Sequence, residues 1–232
     1  MQYSDVTRID HNIDRADFAK SLLCWWTNNK RDFPWRLSSA PYQILVAEVL
    51  LHRTRAGQVV PVYLEFLELF PSIDVLSQAP LNQVKDVVYK LGLHWRTELL
   101  HNMAQEIMKR FEGKIPQNKD DLKSLPGVSD YIASAMRIFA FNKSDALLDT
   151  NIVRILGRVF DLTITDSSRR NSRFQKLYEA IGTTENPREF AFAMIDLASL
   201  ICLPRNPKCS ECPLCMLCRF ASKSHARCSK QT

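Results

Sequence analysis

Apolar residues recur at intervals of three and four along nearly the whole chain, and no stretch alternates apolar with polar as a half-buried strand would. The period predicts helices over residues 16–28, 42–54, 58–70, 81–91, 98–111, 130–141, 151–160, 170–181 and 189–201. Punctuation agrees with it. Pro41 and Pro80 stand at helix starts, Gly92, Gly113 and Gly182 follow helix ends, and Pro71, Pro126 and Pro187 interrupt. Only 6 of the 232 residues are glycine, too few for a sandwich, a propeller or a glycine-rich nucleotide cradle. The expectation is a compact all-α protein, long enough for one large or two small interleaved domains. No repeat is visible, and the tail after Phe220 is expected to fray.

Charge and thiols gather in one place. Lys and Arg total 31 against 25 Asp and Glu, a net charge of +6 that favours polyanionic partners. Residues 202–232 hold Arg205, Lys208, Arg219, Lys223, Arg227 and Lys230 against Glu211 alone. Six of the seven cysteines lie in the same stretch, with Cys24 the exception. No apolar run approaches the roughly 20 residues that cross a bilayer, and residues 1–17 are too polar for a signal peptide, so a soluble cytoplasmic protein without membrane contact is expected. In a reducing compartment, clustered thiols point to a metal or cluster rather than disulfides. Cys202-x6-Cys209-x2-Cys212-x5-Cys218 suits zinc or a [4Fe–4S] cluster; one close pair flanked by wider gaps disfavours zinc. Cys215 is an ambiguous fifth thiol, and Cys24 and Cys228 read as a core residue and a free tail thiol.

Three further motifs carry chemistry. Leu125-Pro126-Gly127-Val128-Ser129-Asp130-Tyr131 reads as a hairpin before an amphipathic helix. Its backbone N–H groups and the positive end of the helix suit a phosphate; an ordinary interhelical turn is the alternative. Asp149 opens the next helix, where it can cap and, as a carboxylate, stabilise a positive sugar-like transition state. Glu48 stands among apolar neighbours in Tyr42-Gln43-Ile44-Leu45-Val46-Ala47-Glu48-Val49-Leu50-Leu51. Desolvation there raises a carboxyl pKa toward general-acid use; a buried ion pair with an arginine is the alternative.

Together these motifs resemble the helix-hairpin-helix DNA glycosylases with a Gly/Pro-rich loop and an aspartate, the superfamily of endonuclease III and the MutY adenine glycosylase. The likeness runs from about Phe18 to Cys218. It implies a six-helix barrel over residues 33–143, with 1–32 and 144–232 forming a helical cluster domain, and DNA bound across the cleft between them. It also implies a [4Fe–4S] cluster on Cys202, Cys209, Cys212 and Cys218, with Cys215 skipped. A monomer on double-stranded DNA containing a mismatched or damaged base is implied, the target nucleotide being flipped out and its N-glycosidic bond cleaved. Asp149 would stabilise the sugar cation and orient water, and Glu48 would assist departure of the base. Arg53 and Leu93 match positions that fill the gap left in the duplex, with a phosphate-binding Arg and a core Leu as alternatives.

Tyr131 divides the superfamily. Endonuclease III has a lysine at this place, and its amine forms a Schiff base with the sugar; a phenol cannot. The chain therefore resembles the monofunctional thymine-DNA glycosylases acting on G·T and G·U mismatches. MutY-type enzymes, the alternative, have serine there and a further C-terminal domain, whereas this chain ends just after its cysteines. Ser129 stands where the family hairpin has Gly, and a serine forced to positive φ would weaken the phosphate contact. A non-catalytic helix-hairpin-helix DNA-binding protein is a third reading; a carboxylate buried at Glu48 argues against it.

Overall fold

The computed structural model of the protein describes residues 15–92, 94–182 and 184–224. Twelve α-helices and no strand occur among them: α1 Arg15–Asn29, α2 Pro41–Leu51, α3 Ala56–Leu69, α4 Ile73–Gln78, α5 Leu81–Val88, α6 Trp95–Phe111, α7 Lys119–Lys123, α8 Asp130–Phe139, α9 Thr150–Phe160, α10 Ser172–Ile181, α11 Pro187–Leu200 and α12 Arg219–Lys223. The chain divides into two compact units, residues 32–143 and residues 1–31 with 144–232.

In the unit 32–143, α2 packs on α3 and α8, while α4 and α5 pack on α6. Its core includes Leu45, Tyr63, Phe66, Met103, Ile107 and Met136, all at most 2% exposed. Trp35 sets its face on Phe33 (5.0 Å between centroids) and meets Tyr63 edge to face (5.4 Å), aromatic contacts worth about 0.5–1.5 kcal/mol each beyond their buried area. α2 begins with Pro41 as its first helical residue and stops at Leu51, three residues before the periodicity predicts. The reason is local: Arg53 takes a left-handed backbone (φ 59°), which no helix can carry through.

In the other unit α11 packs against α1 and α9, and α9 packs against α10 and α12. Phe18 stacks on Phe160 (6.1 Å) and touches Phe190 (6.3 Å), and Tyr178 meets Phe190 edge to face. Asp196, fully buried on α11, accepts hydrogen bonds from the Trp26 indole (2.9 Å), the Arg31 backbone N–H (3.1 Å) and Arg31 Nε (2.6 Å). A buried charge demands such partners. Pro187, expected to interrupt, instead opens α11 as its first residue, where a missing N–H is harmless; Asn186 caps it by accepting from Glu189 N–H.

Candidate active site

The hairpin joins α7 to α8. Asn118 caps α7 by accepting from the N–H groups of Asp120 and Asp121, and Ser129 caps α8 by accepting from Ile132 N–H at 3.3 Å. Ser129 has φ −77°, so the expectation that a serine here would suffer from positive φ is overturned. The left-handed residue is Gly127 (φ 70°), where an added Cβ would lie 2.1 Å from Leu99 Cδ1. Only glycine fits that position. Val128 turns inward, 8% exposed, and its N–H closes the turn on the Leu125 carbonyl (3.2 Å). Among the described residues, the N–H groups of Gly127 and Ser129 have no acceptor, which leaves two donors for an anion. Tyr131, half-buried, sits one residue into α8.

Glu48 lies on α2, the helix packed against α8, and is 9% exposed among buried Ile44, Leu45, Val46, Ala47, Val49 and Leu50. Arg53 is exposed in the turn that follows. Leu93 lies outside the described residues, as does Cys228, and Cys24, expected in the core, is exposed on α1.

Asp149 is the N-cap of α9. Its Oδ1 accepts from the N–H groups of Asn151 (2.8 Å) and Ile152 (2.7 Å), and Oδ2 accepts from Asn151 Nδ2 (2.8 Å). Three donors fix the plane of the carboxylate. A carboxylate oxygen has about two acceptor sites, so Oδ2 keeps one for a water or a sugar. Cap and catalyst are thus compatible at this residue. Tyr178, fully buried, has its phenol held protonated by burial first and by the charges of Asp145 and Asp149 next, and its hydroxyl has no hydrogen-bond partner among the described residues.

The same helix reaches the cysteines. Arg154 donates from Nη1 to Asn151 Oδ1 (2.9 Å), from Nε to the Cys202 carbonyl (2.9 Å) and from Nη2 to the Ala198 carbonyl (3.1 Å). One turn on, Arg158 donates to Cys202 Sγ (3.3 Å) and to the carbonyls of Leu203 and Pro204, with its guanidinium over the Phe220 ring. Asn151, Arg154 and Arg158 escape sequence reasoning, although their spacing of three and four on one helix face is the signal that joins them.

Cys202, Cys209, Cys212 and Cys218 border one cavity together with Ile155 and Leu214. Cys215, 2% exposed, borders it as well, but it is disulfide-bonded and so is not a fifth free thiol. Burial pushes the Cys212 thiol up to about 12, reinforced by Cys202, Cys218 and Cys209, and raises Cys209 and Cys218 too. Among the described residues no group of three or more His, Cys, Asp or Glu is drawn together as on a metal ion; the four cysteines are part of the lining of one cavity. No helix among the described residues is long and apolar enough to cross a membrane.

Comparison with known proteins gives these positions a context. The thymine/uracil-DNA glycosylase of Pyrobaculum aerophilum is 37% identical over 223 residues, covering 93% of this chain and 96% of that protein. An adenine DNA glycosylase of Buchnera aphidicola subsp. Baizongia pistaciae is 32% identical over 203 residues, covering 87% of this chain and 58% of that protein. The solved structure of a thermostable thymine-DNA glycosylase superposes with a TM-score of 0.83 at 31% identity, covering 90% of this chain and 97% of its own. The family model described as HhH-GPD superfamily base excision DNA repair protein matches residues 46–180, more than half the chain and the whole span from Glu48 through the hairpin to Arg158. On that match and those identities, the chain belongs to the HhH-GPD superfamily of base excision DNA repair proteins.

Proposed function

We propose that the chain is a monofunctional DNA glycosylase that flips out thymine or uracil mispaired with guanine in double-stranded DNA and hydrolyses its N-glycosidic bond. The observation that carries this reading is the Asp149 carboxylate, fixed by three N–H donors with an acceptor site to spare. An anion so placed stabilises an oxocarbenium-like sugar and orients the attacking water. Glu48 assists the departing base, and the Gly127 and Ser129 N–H groups take a backbone phosphate. Arg53 and Leu93 fill the gap in the duplex. Tyr131 supplies no amine to attack the sugar, so the strand is left intact. The relative named as a thymine/uracil-DNA glycosylase supports this choice of base. The adenine glycosylase likeness favours a second reading, release of adenine opposite 8-oxoguanine.

The four thiols around one cavity fit a [4Fe–4S] cluster held by Cys202, Cys209, Cys212 and Cys218. Bound there, it would cross-link the basic segment after α11. We place this cluster in the unit formed by residues 1–31 and 144–232 and the phosphate-binding hairpin in the unit 32–143. The protein would work as a monomer on chromosomal DNA in the cytoplasm.

Single-turnover assays on duplexes with G·T, G·U, A·8-oxoguanine and matched pairs test the reading. The expected result is release of thymine and uracil opposite guanine, with strand breakage only after alkali. Preferential adenine release would replace it with the second reading, and binding without any base release would make the protein a non-catalytic DNA binder. Anaerobically purified protein should hold about four irons per chain and lose them on Cys212→Ser, whereas stoichiometric zinc without iron would exclude the cluster.

A further inference from the structure

Arg96, the second residue of α6, is fully enclosed, with 0% of its surface exposed. A buried guanidinium ordinarily answers a carboxylate. Here every hydrogen-bond partner among the described residues is a neutral oxygen of one turn: Nη1 donates to the Leu50 carbonyl at 2.9 Å, and Nη2 donates to the His52 carbonyl and to Thr54 Oγ1 at 2.6 Å. Those carbonyls stand at the C-terminus of α2, where unpaired C=O groups and the negative end of the helix dipole stabilise a cation without a counter-ion. The three acceptors straddle Arg53. That residue has φ 59°, a conformation that costs a non-glycine residue about 1 kcal/mol and persists where its surroundings over-determine it. Trp95, next to Arg96, adds an edge-to-face contact with the His52 ring at 5.5 Å.

We propose that Arg96 is a positioning residue that, without touching DNA, clamps the turn after α2 and so holds Arg53 in the left-handed conformation that presents it to DNA. The proposal rests on the reading that Arg53 contacts DNA. The planar fork reaches three oxygens at once, and a lysine, as a point charge on a flexible stem, cannot reproduce it. Arg96→Lys therefore keeps the charge and removes the geometry.

The test is a double-mutant cycle on the full chain, read as affinity for a duplex carrying a stable abasic-site analogue opposite guanine. This probe has no base to release, so its answer stands whether or not thymine is the excised base. Arg53→Ala and Arg96→Lys should each weaken binding by roughly tenfold, and the double variant should bind no more weakly than Arg53→Ala alone. Hydrogen exchange over residues 52–55, measured without DNA, should rise in Arg96→Lys. Penalties that multiply in the double variant, an Arg53→Ala protein that binds like wild type, or unchanged exchange over 52–55 would each overturn the proposal. If Arg96→Lys does not fold, Thr54→Val removes one acceptor of the clamp while sparing its charge. It should show the same lack of additivity with Arg53→Ala, and additive penalties there overturn the proposal equally.

Discussion

The side-chain amide of Asn151 donates to Asp149 Oδ2 at 2.8 Å while its oxygen accepts from Arg154 Nη1 at 2.9 Å. The two partners fix which end of the amide faces the carboxylate. Asn151→Asp sets a second carboxylate at hydrogen-bond distance, where two like charges cannot both ionise without penalty. Base release in single turnover should fall by about 10- to 100-fold, with a smaller loss in Asn151→Leu, which removes the donor and adds no charge. Rates equal to wild type in both would deny the amide any part in holding Asp149.

Asp149→Asn separates capping from catalysis. Asparagine caps as well as aspartate, so the melting temperature should move by only a few degrees. On the proposed reading base release should drop by at least about 100-fold, because the negative charge that would face the sugar cation is gone. Asp149→Ala should lose both, with stability lower by about 1 kcal/mol in chemical denaturation. An active Asp149→Asn would place the chemistry elsewhere.

On the proposed reading Tyr131 decides the fate of the strand. Wild type should not be trapped on DNA by borohydride. Tyr131→Lys puts an amine near the N-terminus of α8, where the positive end of the helix favours the neutral, nucleophilic form, and borohydride should then cross-link protein to DNA. Trapping of the wild type would refute the monofunctional reading.

Gly127→Ala forces a methyl group into Leu99 at a φ of 70°. Strain and overpacking together should cost about 2–4 kcal/mol, and affinity for DNA should fall with the displaced hairpin donors. Urea unfolding and a binding titration measure the two losses on one sample.

Alkaline pH should expose the buried phenols. Burial pushes Tyr63 up to about 12, so the folded protein keeps this proton where the unfolded chain, with a pKa near 10, gives it up. The stability it contributes is whole below pH 10 and is lost as pH rises toward 12, by on the order of 2–3 kcal/mol. Tyr63→Phe should flatten the fall in melting temperature across that window; an identical fall would assign it to other groups.

The sequence shows most of the long helices because each buries one stripe, and α9, with Ile152, Val153, Leu156 and Phe160 inward, is the clearest instance; α2, buried all round over residues 44–50, is the exception. Helices α4, α7 and α12, of six, five and five residues, complete too few turns for a period to register. Glu48 and the four cysteines stand out in the sequence because each breaks its local pattern, a carboxylate among apolar residues or thiols at fixed spacing; Asp149 stands out as the cap that the structure finds at the start of α9, and Tyr131 only through the resemblance to the glycosylases. Arg96 and Arg158 do not, since an arginine in a helix reads as a solvated face until the distant carbonyls it serves are known. Ser129 misleads for a related reason: the motif marks a turn, but the positive φ falls on Gly127, while Ser129 keeps an extended backbone as the cap of α8.

Asp196 ties Trp26 and Arg31 to α11 across 170 and 165 residues of chain. On a ribosome this separation becomes a delay. At about 5–20 residues per second, Arg31 waits roughly 10–30 s for its buried partner to be synthesised. During that time α1 has no α11 to cover it, while residues 32–143, contiguous in sequence, emerge in full. The order of synthesis therefore imposes an order of folding, the inserted unit before the unit that flanks it. It also leaves the face of α1 that packs on α11 uncovered until the last fifth of the chain begins to appear.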